Sequence, residues 1–89
     1  MQKQTVTIIN KRGLHARAAS KLANTAAAFT CQISIEKDQQ TADAKSIMQV
    51  MMLAACKGTD ITVCCDGADE EPALHTVLTL INNRFDEDE

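Results

Sequence analysis

Residues 11–29, KRGLHARAASKLANTAAAF, decide where a first strand gives way to a first helix. From Ala16 onward, Ala19, Leu22, Ala23, Ala26 and Phe29 recur at three- and four-residue intervals on one face, which predicts a helix ending near Phe29. The start of that helix breaks the usual pattern. Ser, Thr, Asp or Asn normally stands there, its side-chain oxygen accepting from the first free backbone N–H groups, and acidic residues favour the first turn. Gly13, Leu14, His15 and Arg17 occupy those places instead. A helix that leaves its donors uncapped, with an imidazole and a guanidinium beside them, is expected to be an anion site.

On the N-terminal side, TVTIIN (5–10) alternates as a half-buried strand does, with Val6 and Ile8 on one face and Thr5, Thr7 and Ile9 on the other. On the C-terminal side, CQISIEK (31–37) alternates again, and after a turn at Asp38 and Gln39, QTAD (40–43) is long enough for a short return strand. SIMQVMMLAACKG (46–58) reads as a second helix. Ser46 and Gln49 fit a capping box, and Gly58 fits the residue just past the helix end. DITVCCD (60–66) is the last strand, with Ile61, Val63 and Cys65 on one side. A third helix has Asp69, Glu70, Glu71 and Pro72 at its start and an apolar stripe of Leu74, Val77, Leu78, Ile81 and Phe85. Residues 85–89, closing in DEDE, read as a solvated acidic tail with no chemistry of its own.

The resulting order, β-α-β-β-α-β-α, makes an α+β fold. An antiparallel sheet with one face covered by helices would bury the alternating strands and all three helical stripes. With 89 residues, a single domain over 1–89 is expected, burying roughly 60–70% of the surface its unfolded chain exposes. The chain has no Trp or Tyr and only two Phe, so its core must be aliphatic. The lack of stacking surfaces and a net charge of -3 argue against nucleic-acid binding. MQKQTVTIIN has no charged leader before an apolar run, and no apolar span reaches membrane length, so a cytoplasmic protein is expected. Cys31, Cys56, Cys64 and Cys65 form no Cys-x-x-Cys pair and read as small buried hydrophobes.

At the first helix, Arg17 opposes the dipole by about 0.3–1 kcal/mol when no anion is present, and a bound phosphate would reverse that sign. Its guanidinium, with the backbone N–H groups of Ala16 and Arg17, would then hold phosphate oxygens, and Lys11 and Arg12 lie nearby in sequence. A helix N-terminus disfavours the imidazolium form of His15, and a neutral imidazole nitrogen can attack phosphorus to give a phosphohistidine. Gly13 would let the backbone turn tightly into the site. On this reading the anion is carried on His15, with no metal or cofactor needed.

GLHARAASKL (13–22), followed by DAKSIMQVMMLAACKG (43–58) and TDITV (59–63), resembles the histidine-containing phosphocarrier family, HPr, of the bacterial phosphoenolpyruvate-dependent phosphotransferase system. The resemblance covers nearly the whole chain. It implies an open-faced sandwich, a four-stranded antiparallel sheet with three helices on one face. It also implies that His15 accepts a phosphoryl group on Nδ1 from phosphorylated enzyme I and donates it to an EIIA protein, with Arg17 contacting the phosphate. The family's commonest motif has proline where this chain has Ala18, which bears on transfer rate. GLHARAA, VMMLAACKG and INNRFDEDE are most similar to the nitrogen-related branch, NPr, which favours nitrogen-branch forms of both partners over the sugar-uptake carrier.

The second helix is apolar nearly all round. Val50, Leu53 and Ala54 form one stripe and Ile47, Met48, Met51 and Met52 another, and only one can face a single sheet. The second stripe is therefore expected to be a docking surface, for which flexible methionine is suited. The resemblance adds Ser20 and Asn24 on the first helix to that surface. Ser46 is expected as an N-cap, and the resemblance adds possible regulation through phosphorylation by an HPr kinase/phosphorylase. His75 is expected on the surface, and the protein is expected to be a monomer. Competing readings are a ferredoxin-like regulatory ligand module, a metal-binding domain built on the cysteines and histidines, and a purely regulatory protein acting through Ser46.

Overall fold

The computed structural model describes residues 1–87. Its elements are β1 (Gln2–Thr7), α1 (Ala16–Ala27), β2 (Gln32–Lys37), β3 (Gln40–Asp43), α2 (Ile47–Met52), β4 (Asp60–Asp66) and α3 (Glu70–Asn82), followed by a short turn at Arg84–Asp86. The four strands form one antiparallel sheet in the order β1-β4-β2-β3. All three helices cover one face, giving the open-faced α+β sandwich expected from the alternating strands and helical stripes. The two central strands supply Ile33, Ile35, Ile61, Val63 and Cys65 to the core, and α1 supplies Ala19, Leu22, Ala23 and Ala26. On the opposite face of the sheet, Thr5 and Thr62 sit opposite one another with their hydroxyls 3.0 Å apart, and the Thr7 hydroxyl donates to Asp60 at 2.6 Å. Polar residues thus finish the face that no helix covers.

Several boundaries differ from those expected. β1 starts at Gln2 and ends at Thr7, because backbone pairing with β4 extends beyond the apolar alternation in one direction and stops short of it in the other. Ile8 still packs fully into the core and bonds outside the ladder, its N–H donating to Thr59 O at 2.9 Å. α1 closes at Ala27, with Phe29 half-buried beyond it. α2 ends at Met52, five residues before the end that Gly58 marks in the sequence. Ala54 adopts a left-handed backbone (φ 52) and is exposed, so it terminates the helix instead of joining the Val50–Leu53 stripe. Phe85 lies in the core as expected but beyond the end of α3, which stops at Asn82.

The cysteines divide. Cys31, Cys64 and Cys65 are buried, and burial pushes the Cys65 thiol up to about 11, consistent with small core hydrophobes. Cys56 departs from that expectation, since the loop leaving α2 holds it exposed beside Thr59.

At the start of α3, Asp69 is the N-cap by position but makes no side-chain bond to its own helix. Its carboxylate instead accepts from Thr30 N (2.9 Å), Thr30 Oγ1 (3.3 Å) and Cys31 N (2.9 Å), tying α3 to the loop before β2. The bond from the Thr30 backbone leads the effects that lower its pKa from 3.8 to about 2. A depressed carboxylate stabilises the fold above its unfolded value and loses that contribution as pH falls through the folded one. Asp69→Asn should therefore flatten the stability profile between pH 3.8 and about 2 relative to wild type, as read by chemical denaturation across that range.

Candidate functional site

The β1–α1 loop is pinned before the helix begins. Gly13 has φ +64, and a Cβ built on it would stand 2.4 Å from Ala55 O and 2.7 Å from Cys56 Cα. Only glycine allows both the left-handed turn and that approach to the α2–β4 loop. The next residue, Leu14, donates its N–H to Ala55 O at 2.9 Å and buries its side chain. His15 is consequently placed at the mouth of α1 by backbone contacts on both sides.

His15 is itself the N-cap. Its backbone is extended (φ -74, ψ 177), its carbonyl accepts from Ala19 N at 2.8 Å, and its Nδ1 accepts from Arg17 N at 3.3 Å. The sequence reading, which looked for a capping oxygen, expected an uncapped helix; a ring nitrogen at the same reach does the work of an Asn or Asp side chain. This bond has a chemical consequence. A backbone N–H can only donate, so Nδ1 must present its lone pair, and the proton of a neutral ring resides on Nε2.

Ala16 and Arg17 are exposed, and the Arg17 guanidinium has no bonded partner among the described residues. Ser20 is half-buried and Asn24 exposed on α1. On α2, Ile47 and Met51 are each 40% exposed and Met48 and Met52 are 70% and 74% exposed, while Val50 and Leu53 are buried. The two-stripe division of that helix is therefore real, apart from Ala54. Ser46 caps α2, its Oγ accepting from Gln49 N at 3.3 Å. The capping box is only half formed: Gln49 Oε1 accepts from Asp43 N at 2.9 Å instead of returning to Ser46. His75 is exposed, as expected.

The acidic tail is the main correction. Glu87 Oε2 accepts from His15 Nε2 at 2.5 Å, and Glu87 Oε1 accepts from Asn10 Nδ2 at 3.0 Å. The same Asn10 amide donates to Gly13 O at 2.8 Å, and Asp86 pairs with Lys21 at 3.4 Å. Residues 85–87 thus belong to the site's surroundings; Asp88 and Glu89 lie outside the described residues. Burial works against the Glu87 carboxylate, but the bonds from Asn10 and His15 and the charges of His15 and Arg12 outweigh it and lower its pKa. Asn10 is fully buried, and no partner for its Oδ1 occurs among the described residues. Composition marked the tail only as charged. No local signal marks the return, because the burial of Asn10 that reveals it is itself a product of the fold.

Comparison with known proteins agrees with this architecture. The family described as the PTS HPr component phosphorylation site matches residues 2–83. The chain belongs to the HPr family. The phosphocarrier protein HPr of Pseudomonas aeruginosa is 51% identical over 85 residues, 94% of each chain. The phosphocarrier protein NPr of Escherichia coli is 44% identical over 87 residues, 97% of each. A crystal structure of HPr-C-His from Thermoanaerobacter tengcongensis superposes with a TM-score of 0.96 at 40% identity, covering all of both chains. Among the described residues, no group of three His, Cys, Asp or Glu could hold a metal ion, and no helix is long and apolar enough to cross a membrane.

The Gly13 contact predicts that Gly13→Ala destabilises the protein by about 2 kcal/mol or more, through left-handed strain and overlap with the Ala55 carbonyl. Thermal and urea unfolding would measure it. Ser46→Ala should lose only about 1 kcal/mol, the worth of one N-cap.

Proposed function

We propose that the chain, an HPr-family phosphocarrier, accepts a phosphoryl group on His15 Nδ1 from phosphorylated enzyme I and passes it to an EIIA protein. The observation that supports this most directly is the bond from Arg17 N to His15 Nδ1 at 3.3 Å. It places a lone pair, and not a proton, at the positive end of α1 and beside an exposed guanidinium. When Nδ1 bonds to phosphorus, Arg17 N–H loses its acceptor, and the incoming phosphoryl oxygens offer replacements. The Ala16 N–H and the Arg17 side chain supply further donors. The imidazole is thus exchanged for phosphate as the cap of the same helix, so the donor is not left unpaired in the product.

The exposed stripe Ile47, Met48, Met51 and Met52, with Ser20 and Asn24, is the proposed docking face. Its apolar side chains lie outside the core on a chain of small size, where partners of different shape can pack against methionine. Phosphorylation of Ser46 by an HPr kinase/phosphorylase would add a dianion beside that stripe and weaken docking of partners that present negative charge. We place the carrier in the cytoplasm, acting as a monomer.

The nitrogen-related branch is the finer reading, supported by GLHARAA, VMMLAACKG and the INNRFDEDE end. The sugar-uptake carrier is the second reading, favoured by the higher identity of the Pseudomonas aeruginosa HPr than of the Escherichia coli NPr.

Intact mass after incubation with phosphoenolpyruvate and enzyme I of either branch tests the proposal. Wild type should gain one acid-labile phosphate, and His15→Ala should gain none while keeping a cooperative thermal transition, weakened by about 1 kcal/mol for the lost cap. A phosphate retained in His15→Ala would overturn the assignment, and the faster enzyme I would identify the branch. Met48→Glu should slow transfer about tenfold, equivalent to roughly 1.4 kcal/mol of docking energy.

A further inference from the structure

The segment after α3 returns to the site by a costly route. Arg84, Phe85 and Asp86 all have left-handed backbones (φ 56, 53 and 62), a run that L-residues avoid. Phe85 anchors the turn by complete burial, and Glu87 N–H closes it on Arg84 O at 2.9 Å. The outcome is a carboxylate with a separate donor for each oxygen. Asn10, fully buried and held by Gly13 O, fixes Oε1, and His15 Nε2 meets Oε2. The His15 and Glu87 side chains are each only 15% exposed, so water competes weakly for this bond.

We propose that Glu87 is a positioning residue for phosphoryl transfer at His15: its carboxylate keeps the proton on Nε2, so that Nδ1 stays unprotonated and can exchange its bond from Arg17 N–H for one to phosphorus, and it stays as countercharge to the phosphorylated ring. The inference rests on the phosphocarrier reading above. In the accepting step, the Nδ1 lone pair forms the N–P bond as the donor's bond to phosphorus breaks, its electron pair returning to the donor. The ring gains positive charge, and the Nε2 proton does not move. In the donating step, the acceptor's nucleophile bonds to phosphorus and the Nδ1–P pair returns to Nδ1, so His15 leaves as neutral imidazole still protonated at Nε2. A carboxylate on Nε2 offsets the charge that the ring gains on accepting phosphorus, and it holds the ring's orientation in both steps. Of the neighbouring charges, Arg12 acts on the Glu87 carboxylate, and Asp86 is paired with Lys21 of α1.

The test compares wild type, Glu87→Ala and Glu87→Gln in phosphorylation by enzyme I and phosphoenolpyruvate, with the His15 ring followed by nitrogen-15 NMR. Glu87→Ala should slow transfer about ten- to a hundredfold, the range for losing a group that orients a functional imidazole, and should raise the Nδ1–H tautomer. Glu87→Gln keeps the shape and one acceptor, so it should fold normally and recover part of both. Wild-type rates in both variants would overturn the proposal, as would a slowed Glu87→Ala whose ring tautomer is unchanged, which would mean a fold contact only. Failure of wild type itself to take phosphate would instead overturn the carrier reading.

Discussion

The contact between Gly13 and the Ala55 carbonyl is the constraint on which the site depends. Without a Cβ, the β1–α1 loop settles directly onto the α2–β4 loop, and Leu14 N–H takes the Ala55 oxygen. That one approach sets where α1 begins, and hence where the His15 ring stands. It also brings α2, which bears the exposed methionines, against the same loop that holds His15. The loop that carries His15 and the loop that leaves α2 are thus joined through backbone atoms, which side-chain motion cannot uncouple.

His15 illustrates how capping and reactivity are one requirement. An N-cap must offer an acceptor to a free backbone N–H, and an imidazole can do so only through an unprotonated nitrogen. The fold therefore selects the tautomer that has a lone pair on Nδ1. Glu87 acts on the other nitrogen with the same sense, since a carboxylate there accepts a proton-bearing Nε2. Two parts of the chain separated by 72 positions impose one protonation pattern on one ring.

The acidic end shows why charge composition is a poor guide to role. Asp86 and Glu87 look like solubilising residues because nothing local gives them a partner. Their partners, Lys21 and the Asn10–His15 pair, come from the opposite end of the chain, and the left-handed turn anchored by Phe85 brings the two together. Arg84, Phe85 and Asp86 contain no glycine to announce that turn.

Element order, the buried faces of α1 and β2, the exposure of Met48 and Met52, and the placing of His15 and Arg17 at the start of α1 were all legible in the sequence. Each rests on periodicity or on the chemistry of a helix N-terminus, and both are local properties. The end of α2, the half-formed capping box at Ser46, the exposure of Cys56 and the return of Glu87 to His15 were decided by tertiary structure. In each case a contact with a residue distant in the chain, or a backbone conformation stabilised by packing, outweighed the local preference. Sequence by itself thus determined the kind of fold and set an imidazole at the start of α1. Only the folded chain determined which nitrogen of that ring caps the helix and what holds the other.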